Sequence, residues 1–153
     1  MTPPLKCLRA DPDGLGPLIR QSHQQPETTA ICDLSGGWFP VPHGVICGTL
    51  MAAAQRQNWS ALQQRDPHHP AVERMARVGR LMPGGRSLIA NAAAVDHLTE
   101  SLLDWVEELK IPRLGNYGIT AADLDRVVEA ASNRNNPIAL TPSEIKILLQ
   151  TRL

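Results

Sequence analysis

Apolar residues recur at steps of three and four through much of the chain. From Val95 they fall at Leu98, Leu102, Trp105, Val106 and Leu109, with Asp96, Glu100, Asp104, Glu107 and Glu108 elsewhere on the cylinder. That is the stripe of an amphipathic helix, and Pro112 is expected to end it. "AVERMARVGRLM" places Val72, Met75, Val78 and Leu81 three apart and predicts a second helix. "TAADLDRVVEAAS" opens on Thr120 with Asp123 three residues later, an N-cap followed by an acidic first turn. Its inner face is predicted as Leu124, Val127, Val128 and Ala131. "TPSEIKILLQ" carries the clearest start signal. Thr141 is the N-cap, Pro142 takes the first helical position, and Glu144 completes a capping box ahead of Ile145, Leu148 and Leu149. "GVICGTLMAAAQRQ" is apolar almost all round at first, which predicts a buried helix.

Strand patterning is nearly absent. Apolar alternation never persists beyond about four residues, and the prolines of "GGWFPVP" indicate a loop. The breakers "QRDPHHP", "MPGGRS", "IPRLGNYG" and "NRNNPIAL" are short, with no linker or repeat between them. The pattern predicts an all-α fold, a single helical bundle of about six to eight helices over residues 1–153, with 1–35 a divergent N-terminal part.

Length and charge narrow the picture. A chain of 153 residues is one ordinary domain with room for a core. Lys+Arg and Asp+Glu both number 15, and with 3% aromatic residues and no basic stripe, nucleic acid is excluded as a partner. No apolar run approaches the roughly 20 residues of a membrane span. The start, "MTPPLKCLRADPDG", lacks the apolar core and cleavage site of a secretory signal. Cys7, Cys32 and Cys47 are an odd, sparse set, read as reduced thiols in a cytoplasmic protein.

The candidate chemistry centres on His43, at the mouth of the predicted Ala-rich helix. Such an imidazole either packs and caps or ligates a metal. His68 and His69, in a proline-flanked loop, read as an exposed polar turn, and His97 beside Asp96 as part of a solvated face. Cys32 beside Asp33 reads as a buried small thiol with no base to activate it. Trp38 and Phe39 either line a pocket or anchor the core. Neither "GLG" at Gly14–Gly16, followed by Pro17, nor "MPGGRS" offers backbone N–H groups at a strand-to-helix junction. No Rossmann-like nucleotide domain and no NAD(P) binding by this chain alone are therefore expected.

Several ordered pieces resemble the C-terminal helical domain of the iron-containing (group III) alcohol dehydrogenases, related to the dehydroquinate synthase fold. They are "GGWFPVPHG", "GVICGTLMAAAQRQN" with its terminal Asn58, "IPRLGNYGITAADLDRVVEAA" and "NNPIALTPSEIKILLQ". They run from Gly36 to Gln150, and the region read as similar to that domain is 36–153. The resemblance implies a divalent metal, iron or zinc, held by one Asp and three His. Two of those histidines are the first and last of a pattern of the form H-x-x-x-H-x-x-G followed by P-H-G, whose middle His sits near the substrate. His43 matches the last of them. Counting back, the middle His falls at position 33, which is Asp33, and the first at position 29, which is Thr29. The Asp/His pair one helical turn apart has no counterpart, since residues 1–28 hold Asp11, Asp13 and His23 without that spacing. His43 and Asp33 are the candidate metal ligands, with weak iron or zinc uptake expected, and Cys32 and His23 could complete a substitute site. No catalytic residue is identified.

Three functions follow as expectations. The first is a free-standing or truncated relative of this helical domain, inactive as a dehydrogenase on its own. The second is half of a split NAD(P)-dependent oxidoreductase, completed by a separate nucleotide-binding chain. The third is a small metal-binding protein with a rebuilt site. Homodimerisation is expected as well, through the apolar surface of "GVICGTLMAAA".

Overall fold

The computed structural model describes residues 39–87, 89–131 and 136–153. Over these residues the backbone is helical, with five α-helices and two short 3-10 turns and no strand. The readings on Cys7, Gly14–Gly16, His23, Thr29, Cys32, Asp33 and Trp38 fall outside the described residues.

The centre of the fold is α1, His43–Arg65. The predicted burial of its first half is found. Ile46, Thr49, Leu50, Ala52 and Ala54 are buried, and further along so are Asn58, Ala61 and Leu62. These positions point in several directions, so the helix can be covered from more than one side. The expectation that "GVICGTLMAAA" would present an apolar surface to water is corrected in part: Ile46, Leu50, Ala52 and Ala54 are covered by the other helices, while Met51 stays half-buried at a groove.

On one side of α1 lie α2, Pro70–Leu81, and α3, Asn91–Glu108, which pack against each other. Their contact faces differ in part from the faces predicted. On α2 the buried residues are Ala71, Val72, Met75, Ala76 and Gly79, while Val78 and Leu81 are 47% and 76% exposed. A strict step of three drifts off a face whose true period is 3.6 residues, and the buried stripe follows the steps of four. The same drift removes Trp105 and Leu109 from the α3 core face, which runs through Val95, Leu98, Leu102 and Val106. At Gly79 the helices meet backbone to backbone: a Cβ there would sit 1.8 Å from the Ala94 carbonyl oxygen.

Helix α3 ends before Pro112 is reached. Lys110 takes a left-handed conformation, φ 51°. Its N–H donates to the Glu107 carbonyl, and that of Ile111 donates to the Val106 carbonyl. This pair of bonds is the Schellman turn, built here on a lysine where glycine is usual. His97, read as solvated, is half-buried, and its Nε2 donates to the Pro83 carbonyl at 3.1 Å. The "MPGGRS" turn is thereby tied to α3.

On the other side of α1 lie α4, Leu124–Ala130, and α5, Pro142–Gln150. Two 3-10 turns, Leu114–Tyr117 and Ala121–Asp123, lead into α4. The predicted start of α4 is realised as a 3-10 turn: Asp123 Oδ2 accepts from both the N–H and the hydroxyl of Thr120. Leu124 and Val127 are buried, with Val128 and Ala131 packed beside them. At α5 the capping box is formed as expected. Thr141 Oγ1 accepts from the Glu144 N–H at 3.2 Å, and Glu144 Oε2 accepts from the Thr141 N–H at 2.7 Å. Ile145, Leu148 and Leu149 are buried against Ile46, Leu50, Leu114 and Leu124.

Two polar contacts close the bundle across long sequence separations. Asn58, 1% exposed, exchanges amide hydrogen bonds with Asn136, whose Nδ2 also donates to the Ile138 carbonyl. Arg152, 7% exposed, donates from Nε to Thr49 Oγ1 and from Nη2 to the Ile111 carbonyl, and pairs with Glu107 at 3.5 Å. A buried guanidinium is tolerated because its donors are placed on acceptors.

Candidate functional site

The backbone at the start of α1 follows from Pro42. Its extended conformation, φ −60° and ψ 134°, turns the chain into the helix, and its carbonyl accepts from the N–H groups of Val45 and Ile46. No side chain caps this end. The packing reading of Phe39 holds, since that ring lies half-buried against the core cluster beside Val41. The loop is thus anchored on its apolar side, and His43 emerges as the first helical residue.

His43 is exposed. It neither packs in the core nor caps the helix, the two ordinary uses of a histidine at this place. Its Nε2 lies 3.4 Å from the Sγ of Cys47, one helical turn on. The i, i+4 spacing puts both side chains on one face. Sequence reading missed this neighbour because it weighed the cysteines for disulfides and nucleophiles. The spacing itself was the available signal.

An imidazole and a thiol are both competent donors for a borderline or soft divalent metal. Two donors on one helix turn do not fix a coordination geometry by themselves. Among the described residues, no group of three or more His, Cys, Asp or Glu side chains converges. Asp33, the other candidate ligand, lies outside the described residues, as do Cys32 and His23.

The remaining histidines have structural work. His69, expected in an exposed turn, is the N-cap of α2: its Nδ1 accepts from the Ala71 N–H at 3.1 Å, with Pro70 at the first helical position. His97 holds the turn at Pro83. His68 is exposed. None of the three joins His43 in a cluster of ligands.

Residues 27–153 match the Fe-containing alcohol dehydrogenase family, C-terminal domain. Alcohol dehydrogenase 4 of Schizosaccharomyces pombe (strain 972 / ATCC 24843) is 27% identical over 127 residues, covering 77% of this chain and 26% of that protein. The fold is similar to the crystal structure of a 1,3-propanediol oxidoreductase, with a TM-score of 0.66 at 20% identity. It is also similar to an alcohol dehydrogenase from Oenococcus oeni, with a TM-score of 0.64 at 26% identity. Each structural match covers 81% of this chain and 31% of the other. The chain therefore spans about a quarter of the curated relative and under a third of the solved ones. The family match takes in positions 29 and 33 as well as the loop and helix that carry His43. On the extent of that match, and on the helical fold it shares with the solved relatives, the chain belongs to the Fe-containing alcohol dehydrogenase family as a counterpart of its C-terminal domain.

Proposed function

We propose that the chain is a relative of the metal-binding helical domain of iron-dependent alcohol dehydrogenases that does not oxidise alcohols by itself. The observation that supports this reading is the state of the two ligand positions, 29 and 43, and of the near-substrate position 33 between them. Where the family resemblance calls for histidines, this chain has Thr29, Asp33 and His43, and the His43 imidazole stands exposed with Cys47 as its donor neighbour. The residues fit weak, incomplete metal uptake, with His43 and Asp33 as ligands for iron or zinc. A bound metal would supply Lewis-acid polarisation of an alcohol or carbonyl oxygen, which requires a fixed geometry and an open position. The reading includes a cytoplasmic location, supported by the odd, sparse cysteine set.

Calorimetric titration of the purified chain with ferrous ion, zinc and NAD(P), followed by an alcohol turnover assay, tests the proposal. The expected result is weak metal uptake reduced by His43→Ala, no saturable NAD(P) binding and no turnover. Micromolar affinity for NAD(P), or measurable turnover by the chain alone, would overturn it.

A second reading is that a separate chain supplies a nucleotide-binding domain and further ligands. Its support is the coverage: the solved relatives are more than three times the aligned length, each being matched over 31%. Turnover appearing only on mixing with such a chain, and lost in His43→Ala, would favour it over the first.

A further inference from the structure

The groove between α1, α3 and α5 holds a cavity of about 400 Å³, within the range of small-molecule sites, about 300–1,000 Å³. Its walls are charged unevenly, with Arg56, Arg113 and Arg152 set against a single carboxylate, Glu107. Arg152 is committed to Thr49, Ile111 and Glu107 and serves the fold. The other two guanidiniums are exposed. Among the described residues the Arg56 side chain has no hydrogen bond or ion pair, and Arg113 gives one N–H to an oxygen of Leu153, the last residue, at 3.3 Å. Both therefore keep free donors at the same opening. The same cavity is faced by apolar side chains the bundle leaves uncovered, Leu103 at 37% and Ile147 at 53% exposure.

Free planar donors beside an uncovered apolar wall are complementary to an amphiphilic anion. We propose that this groove binds a small organic acid, a carboxylate on a short alkyl chain. The carboxylate is held by Arg56 and Arg113, and the chain covers Leu103 and Ile147. Glu107 is already paired with Arg152, so the wall keeps a positive balance, and the planar fork of a carboxylate matches the guanidinium donors. The site shares no residue with His43 and is independent of any metal there.

The test uses the full chain in EDTA, with methyl resonances of Leu103 and Ile147 followed by NMR during titration with hexanoate, hexanol and hexyl phosphate. Hexanoate is expected to shift both methyls saturably, with hexanol and hexyl phosphate each binding several-fold more weakly. The double variant Arg56→Gln/Arg113→Gln should weaken hexanoate binding roughly tenfold or more. Both side chains are exposed, so its thermal melt should match that of the parent. Absence of a saturable shift, equal binding of hexanol, or undiminished binding to the double variant would overturn the proposal. Tighter binding of hexyl phosphate would overturn the assignment to carboxylates.

Discussion

Lys110 shows how much one residue can hold. A non-glycine residue in the left-handed region is disfavoured by contact between its Cβ and the carbonyl oxygen, yet both bonds of the turn after α3 depend on that conformation. Lys110→Gly should stabilise the protein by about 1 kcal/mol or less, once the added freedom of glycine in the unfolded chain is counted. Chemical denaturation would read this as a raised midpoint at unchanged slope. Asp123 illustrates a local charge effect. The Thr120 hydroxyl and then the Thr120 backbone N–H hold its carboxyl below the ordinary aspartate value. A carboxyl depressed in the folded state adds stability above its unfolded pKa, and that contribution is lost as pH falls through the lower folded value. An NMR titration should place Asp123 below an unstructured aspartate, and Thr120→Ala should move it part of the way back, since the backbone N–H at position 120 still donates to it. Asn58→Ala should cost roughly 1–3 kcal/mol, because it strands the Asn136 amide in a partly buried place. A denaturation midpoint unchanged by that substitution would show that the amide pair contributes nothing.

Among the elements, α5 is the one whose sequence and structure agree most closely. Thr141, Pro142 and Glu144 act within four residues, so tertiary context has little room to alter them. Thr141→Ala should destabilise by roughly 0.5–2 kcal/mol in a thermal melt. The capping carboxylate of Glu144 also takes Arg65 from the end of α1 at 3.1 Å, a link 79 residues long that no local pattern could show. The α2–α3 pair is the opposite case. A glycine inside a helix is ordinarily a weak point, and alanine at position 79 would gain up to about 1 kcal/mol in helix propensity. The close approach of the Ala94 carbonyl decides otherwise. Overpacking costs about 1–3 kcal/mol, and here the obstacle is backbone that moves only if the helices part. Gly79→Ala should therefore lower the melting temperature, whereas an increase would mean the crossing is looser than described.

At the scale of the whole molecule, burial of α1 leaves the uncovered apolar surface elsewhere. Val78, Met82 and Trp105 border one groove with Met51 and Leu102, and Val78 and Trp105 are 47% and 44% exposed. Self-association through this face is the form in which we now propose the dimer. Sedimentation velocity should show a concentration-dependent dimer that Trp105→Glu converts to monomer. A species that stays monomeric at high micromolar concentration would count against it. No helix among the described residues is long and apolar enough to cross a membrane.

The fold class, the five α-helices and the cap of α5 were legible in the sequence because each rests on interactions within about four residues, and such spacings survive any tertiary arrangement. The stripes were legible only approximately. A run of apolar residues marks a helix, but which of its members face inward depends on the neighbour it packs against, which is why Trp105 and Leu109 point outward while Ala76 and Gly79 are buried. His43 could be located and its exposure could not, since the same residues would serve a capped, packed or open histidine. The pairing of Asn58 with Asn136, the burial of Arg152 on Thr49 and the grouping of Arg56 with Arg113 at one cavity were decided by the tertiary structure. Each joins positions far apart along the chain, and only the packing of α1 between its two helix pairs sets the distance between them.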